Sequence, residues 1–123
     1  MLVGVVHDPQ FGPIVACGAG GVQVELLRDV SVRLTPLSTE DASEMVRSLK
    51  SYPLLNGFRG APVYDVAALK EGLLRVGAMV EDIPQIAELD CNSFVVNEHG
   101  ATILDARVRV EATGPRPLLG VRR

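Results

Sequence analysis

The residues of this chain best suited to chemistry by type and spacing are Asn92 and Asp105. They lie in two apolar-rich runs, 86–96 and 101–110, on either side of a turn-forming N-E-H-G at 97–100, which is the pattern of an antiparallel hairpin. With Val96 and Ala101 flanking the turn, facing residues have numbers that sum to 197, which sets Asn92 opposite Asp105 and Asp90 opposite Arg107. Directly opposed residues hold their Cβ atoms about 4.5–5.5 Å apart on one face, so an amide oxygen and a carboxylate oxygen reach a common cation. Few oxygen donors, one of them neutral, suit a hard cation that keeps its waters and bridges to phosphates, as Mg²⁺ does at nucleotide sites. Asp90, one pleat further along, is a third candidate. The competing reading is a solvated ribbon in which Asp90 pairs with Arg107 and Asn92 is an ordinary exposed position. A three-residue turn would also shift the register and separate the pair.

A second cluster, G-A-G-G at 18–21, offers backbone N–H groups to an anion, because glycine lets the chain approach a phosphate closely. It lacks the sixth-position glycine and following helix of a dinucleotide fingerprint, and the chain has no G-K-[ST]. A tight turn between strands is the alternative. The candidates there are Gly18, Gly20 and Gly21, joined by Glu25 on the polar side of the next strand, where it meets either a nucleotide or water. Arg59 sits in N-G-F-R-G at 56–60, where its planar fork suits a phosphate or carboxylate, or simply solvent. His7 and His99 fall in turns with no second ligand at metal spacing. Cys17 and Cys91 lack C-x-x-C spacing and lie in apolar stretches, as small core residues do.

These residues need a frame. The spacing predicts strands at 1–6 and 14–17, then two runs of period-two alternation at 22–26 and 30–34 joined by a turn at 28–29. Ser38 followed by Asp41 reads as a capping box opening an amphipathic helix that runs to about residue 51. Asp65 is the N-cap expected for a second helix, with Val66, Leu69, Leu73, Val76 and Val80 as its buried stripe and Ile83-Pro84 as its stop. Gly72 and Gly77 weaken that helix and suggest close approach to the sheet. Two long strands, 86–96 and 101–110, follow. The expected fold is α+β, a largely antiparallel sheet with two helices packed on one face. Residues 1–110 form the domain and 111–123, rich in Pro, Gly and Arg, a flexible tail.

A chain of 123 residues that is 47% hydrophobic and 22% charged has the composition of one ordinary globular domain. Its net charge of −3 leaves no positive field for nucleic acid or an anionic membrane. No apolar run approaches the roughly 18 residues of a membrane span, and the N-terminus lacks a secretory signal pattern, so the protein reads as cytoplasmic. A strand that starts at the first residue suggests a piece of something longer.

Six motifs together carry a resemblance: D-P-Q-F-G-P at 8–13, G-x-G-G at 18–21 with Val24-Glu25 following, R-L-x-P-L at 33–37, Y-P-L-L-x-G-x-R-G at 52–60, E-L-D-x-N at 88–92 and L-D-A-R at 104–107. In this order they resemble the C-terminal half of the ATP-grasp domain of NDP-forming acyl-CoA synthetases, relatives of the succinyl-CoA synthetase β subunit. The likeness runs from about Leu2 to Val110. It implies an enzyme that makes acyl-CoA from an acid, CoA and ATP, releasing ADP and phosphate through acyl-phosphate and phosphohistidine intermediates. It also implies that Asn92 and Asp105 are Mg²⁺ ligands, with Asp90 orienting the metal or its waters and the Gly-rich loop lining the phosphate path. Family members usually read N-P-L where this chain has Asn92-Ser93-Phe94. The phosphate-contacting lysines, much of the adenine pocket, the CoA-binding domain and the phosphoryl-carrying histidine belong to other parts of such enzymes. The partners implied are therefore an N-terminal ATP-grasp half and a CoA-binding domain or subunit.

Two functions compete on this footing. One is a part of an ADP-forming acyl-CoA synthetase that supplies the Mg²⁺-binding wall of the ATP site and is inactive alone. The other is a non-catalytic interaction or regulatory module derived from the half-domain, self-associating through an uncovered sheet edge. The acyl substrate and the choice between ATP and GTP are not encoded in this stretch.

Overall fold

The structure, a computed structural model, describes residues 1–19, 29–60 and 62–112. Strand β1 (Leu2–Asp8) turns back into β2 (Gly12–Gly18) through a bend that Asp8 closes, its carboxylate accepting the amides of Gln10 at 2.8 Å and Phe11 at 3.1 Å. β3 (Val30–Leu34) adds to the free edge of β2, β4 (Ile86–Cys91) to that of β1, and β7 (Ala106–Val110) to β4. The result is a five-stranded antiparallel sheet in the order β3-β2-β1-β4-β7. β5 (Phe94–Asn97) and β6 (Gly100–Ile103) form a separate two-stranded ribbon.

Among the described residues three α-helices accompany the sheet. α1 (Thr39–Arg47) opens on the expected capping box: Ser38 accepts from the Asp41 amide at 3.0 Å, and the Asp41 carboxylate accepts from the Ser38 amide at 3.0 Å. Those bonds hold the Asp41 carboxyl below its ordinary pKa, with Arg33 adding a smaller pull in the same direction. α2 (Tyr52–Leu55) is a single turn with Pro53 in its first turn, where its missing N–H costs nothing. α3 (Val66–Asp82) starts at Asp65, whose carboxylate accepts from the Ala68 amide at 3.0 Å. The core lies between the helices and one face of the sheet. Val3, Val5, Val15, Cys17, Leu89 and Cys91 meet Ala42, Met45 and Val46 of α1 and Leu69, Leu73 and Val76 of α3. The antiparallel sheet with helices on one face is the architecture expected from the sequence.

Several details differ. α1 stops at Arg47 instead of running to residue 51, although Leu49 is buried as its apolar spacing requires. The cause is Asp29, expected to lie in a turn and only 3% exposed. Its carboxylate accepts the backbone amides of Lys50 and of Ser51, the latter at 3.0 Å, and these amides are thereby diverted from the helix. The two long strands expected at 86–96 and 101–110 are each broken, leaving β4 and β7 in the main sheet and β5 and β6 in the ribbon. Burial explains the break. Cys91 and Phe94 are both buried while the two residues between them are exposed, so the period of two is interrupted and the chain crosses to enter the core at Phe94. The glycines of α3 admit side chains and not the sheet backbone: Gly72 faces the Phe94 ring and Gly77 faces Leu37. The strand expected at 22–26 lies outside the described residues. So does the tail from 113 onward; residues 111 and 112 are described, and the Glu111 amide donates to Gln85 O at 2.8 Å.

Candidate metal and nucleotide site

The register that brings Asn92 opposite Asp105 survives the strand break. Val96 faces Ala101 and Phe94 faces Ile103 in the ribbon, and Cys91 faces Ala106 and Asp90 faces Arg107 in the sheet. At the crossing itself the Leu104 amide donates to Ser93 O at 2.9 Å and the Asn92 amide donates to Asp105 O at 3.1 Å. The loop is tighter than expected, with Asn97 and Gly100 already paired and Glu98-His99 between them. Asn97 Oδ1 accepts the His99 amide at 2.8 Å, and Gly100 takes a φ of 153°, so a two-residue turn closes without changing the sum of facing numbers. The peptide between Asn92 and Ser93 is cis.

Two facing pairs, Glu88–Arg109 and Asp90–Arg107, line the solvent side of β4 and β7, and just past the strand ends the backbone bond from Asn92 to Asp105 sets those two residues across from each other. Glu88 faces Arg109 and binds it, with Nε to Oε1 at 3.2 Å. Asp90 faces Arg107 without an ion pair, so the charge pairing weighed as the alternative role of Asp90 is absent. Asp105 is tied through its backbone carbonyl to the Asn92 amide, and Asn92 carries no charge. Among the described residues no hydrogen bond or ion pair takes up the side-chain oxygens of Asn92, Asp105 or Asp90, and all three residues are exposed. A carboxylate beside a neutral oxygen donor, with a second carboxylate one pleat away, is a donor set that fits Mg²⁺ with several of its waters. It does not make a closed cage: among the described residues no three His, Cys, Asp or Glu side chains cluster as metal ligands.

The Gly-rich segment leaves from the same end of the sheet. Gly18, the last residue of β2, pairs with Leu2, and Val3 pairs with Cys91, the last residue of β4, so Asn92 leaves the sheet beside Leu2. Two strand spacings put Gly18 roughly 10 Å from Asn92 across the sheet. Gly18 is itself buried, and a Cβ there would lie 3.0 Å from both Asp29 O and Val30 Cγ2, so this glycine lets β3 close in on β2. Gly20, Gly21 and Glu25 lie outside the described residues. Arg59 is on a different loop, between α2 and α3, exposed and in the left-handed region at φ 54°, ψ 42°, with Gly57 and Gly60 also at positive φ. The crossing thus sets the Asn92 and Asp105 backbones against each other with Asp90 two residues before Asn92 at the end of β4, has the Gly-rich segment leave from the same end of the sheet, and leaves Arg59 on a separate segment.

Sequence reasoning missed Asp29. Its carbonyl accepts from the Ala19 amide at 3.1 Å while its carboxylate holds the 50–51 turn, so it ties the base of the Gly-rich segment to the connection that leads to α2. No local signal marks it, because its side-chain partners lie 21 and 22 residues away in the chain.

The cysteines behave as core residues. Cys17 and Cys91 both face Val3, one from each side, so their backbones are about two strand spacings apart, beyond disulfide reach. Burial pushes the Cys17 thiol from the 9.0 of a free thiol up to about 12, and burial, with the Asp90 charge as a lesser cause, raises Cys91. The unfolded chain ionises Cys17 from about pH 9 and the folded chain does not, so the folded state binds more protons in that window. Stability is therefore expected to be unaffected by this group below pH 9 and to fall as pH rises toward 12. Denaturant melts at pH 8 and pH 10.5 check this, since Cys17→Ala should flatten the alkaline loss.

Residues 1–110 match the ATP-grasp domain family. The chain is 44% identical over 108 residues to the β subunit of ADP-forming acetate–CoA ligase I from Pyrococcus furiosus, covering 88% of this chain and 47% of that subunit. It is also 44% identical to ADP-forming acetate–CoA ligase I from Archaeoglobus fulgidus, of which it spans 16%. Among solved structures, a dinucleotide forming acetyl-coenzyme A synthetase 1 from Ca. Korarchaeum cryptofilum, in complex with coenzyme A and Mg-AMPPCP, superposes with a TM-score of 0.86 at 44% identity. That match covers 89% of this chain and 52% of the other. Asn92 and Asp105 fall inside the matched region, and on this sequence and fold likeness the chain belongs to the ATP-grasp domain family, spanning about half the length of the β subunit it matches.

Proposed function

We propose that residues 1–110 are the C-terminal part of the ATP-grasp domain of an ADP-forming acyl-CoA synthetase and supply the Mg²⁺-binding wall of its ATP site. The observation that carries this reading is the crossing, where the Asn92 amide donates to Asp105 O at 3.1 Å and both residues are exposed. In this role Asn92 and Asp105 hold the ion and Asp90 orients its waters. A Mg²⁺ ion held by these residues would supply charge neutralisation to nucleotide phosphates. Backbone amides of the segment that begins at Gly18, with Gly20 and Gly21, line the phosphate path, Glu25 contacts the nucleotide, and Arg59 offers its guanidinium to a phosphate or carboxylate oxygen. Catalysis requires an N-terminal ATP-grasp half and a CoA-binding domain or subunit, and the chain alone is inactive. The protein acts in the cytoplasm, where its soluble substrates are.

The face of the sheet turned away from the helices supports such a partner: Val6, Val32 and Leu34 leave about half of their surface exposed there. The same surface favours the second reading, a self-associating module without catalysis. The test is reconstitution. Acid- and CoA-dependent ADP release is expected when this chain is combined with an N-terminal ATP-grasp half and a CoA-binding unit, and not from any of them alone. Release no greater with the chain than without it, together with a stable homodimer by light scattering, selects the second reading.

A further inference from the structure

We propose that Gly72 and Phe94 are a size-matched pair of positioning residues that sets where Asn92 stands at the crossing; the inference rests on the reading of Asn92 as a metal ligand. Glycine is among the least favourable residues in a helix interior, yet Gly72 lies inside α3. A Cβ at that position would be 2.7 Å from Cζ of Phe94, closer than real Cβ atoms come, and 3.2 Å from its Cε2, a tight contact, so the ring would have to shift. The leading edge of the ring occupies the notch left by the missing side chain. Gly77, on the same helix, differs. A Cβ there meets only Leu37 side-chain atoms, at 3.4 Å and beyond, which is ordinary contact.

Phe94 follows Asn92 by two residues and opens β5. Its ring is buried, and its amide donates to Met1 O at 2.8 Å. On the other side of Asn92, Cys91 is fixed in the sheet between Val3 and Ala106. Asn92 and Ser93 therefore bridge two anchored points, and so short a bridge has little slack. The Asn92 side chain makes no hydrogen bond among the described residues, so its place is set by its backbone: the bond to Asp105 O and the two anchors. An outward shift of the Phe94 ring moves one anchor and carries Asn92 with it. A ligand displaced by about 1 Å is enough to weaken a metal site.

The experiment uses the complete enzyme containing this chain and reads ADP release against Mg²⁺ concentration, with a thermal melt of each variant. Gly72→Ala is expected to raise the Mg²⁺ concentration for half-maximal rate by about fivefold or more, while the rate at saturating Mg²⁺ changes by less than about twofold. Gly77→Ala is expected to leave the Mg²⁺ response unchanged. Combining Gly72→Ala with Phe94→Leu removes the Cε and Cζ atoms that would collide with the new Cβ, and is expected to restore the response to within about twofold of the unaltered enzyme. An unchanged Mg²⁺ response in Gly72→Ala, or a loss that Phe94→Leu does not repair, overturns the proposal. If Gly72→Ala does not fold, Phe94→Leu alone decides: it empties the notch, and an unchanged Mg²⁺ response then overturns the pair. Asn92→Ala separates the two layers. If it shifts the Mg²⁺ response while Gly72→Ala does not, the ligand assignment stands and the positioning role falls; if it shifts nothing, both fall.

Discussion

In a reconstituted enzyme containing this chain, Asp105→Asn is expected to slow acid-dependent ADP release roughly 100-fold, about 3 kcal/mol of lost transition-state stabilisation. Asparagine keeps the shape of the side chain and one oxygen donor but removes the charge. Nothing else in the fold depends on that charge: Asp105 is exposed, and no ion pair or side-chain hydrogen bond engages it among the described residues. Its structural contribution, the carbonyl that accepts from the Asn92 amide at 3.1 Å, belongs to the backbone and survives the substitution. The melting behaviour should therefore stay within about 0.5 kcal/mol of the unaltered chain, as for other surface changes. A large rate loss with an unchanged melt is the signature of a ligand. A rate within about twofold of the unaltered enzyme would show that the carboxylate does not hold the ion.

The second large effect is on stability. Leu73→Ala is expected to cost about 3 kcal/mol, because Leu73 is fully buried and truncation combines lost transfer energy with a cavity that the surroundings only partly refill. It sits on the inward stripe of α3, the helix that lies against β1, β2 and α1, so no solvent-facing movement can collapse the hole. For a chain of this size such a change lowers the melting temperature by roughly 10 °C. Denaturant melts should show a lower midpoint with an unchanged slope. Leu104→Ala is the control. Leu104 is 68% exposed, and its loss should change stability by no more than about 0.5 kcal/mol. If both substitutions cost the same, the helix layer does not pack on the sheet as described.

Much of this architecture was legible in the chain because its causes are local. The Ser38–Asp41 capping box spans one turn, so both partners are visible together in the sequence. The stripe of Leu69, Leu73, Val76 and Val80 reports its own buried face, and α3 forms where that stripe and Asp65 place it. The pairing of Asn92 with Asp105 was also readable, since a hairpin's register is fixed by its turn and the short Glu98-His99 turn preserves the sum that the longer one implied.

What tertiary structure decided has a different physical origin: it depends on groups that meet only after distant segments pack. Asp29 looks like a turn residue until the amides of Lys50 and Ser51 arrive, and only then does α1 have a reason to stop at Arg47. The alternation through residues 86–96 reads as one strand until Phe94 finds Gly72 on α3 and Met1 beside it, and the chain must then cross between Cys91 and Phe94. The order β3-β2-β1-β4-β7 likewise rests on strands far apart in sequence, and it is this order that carries the first residue of the Gly-rich segment to the same end of the sheet as Asn92. Local propensity and register set Asn92 across from Asp105, whereas the surface around them was set by contacts that a linear pattern cannot express.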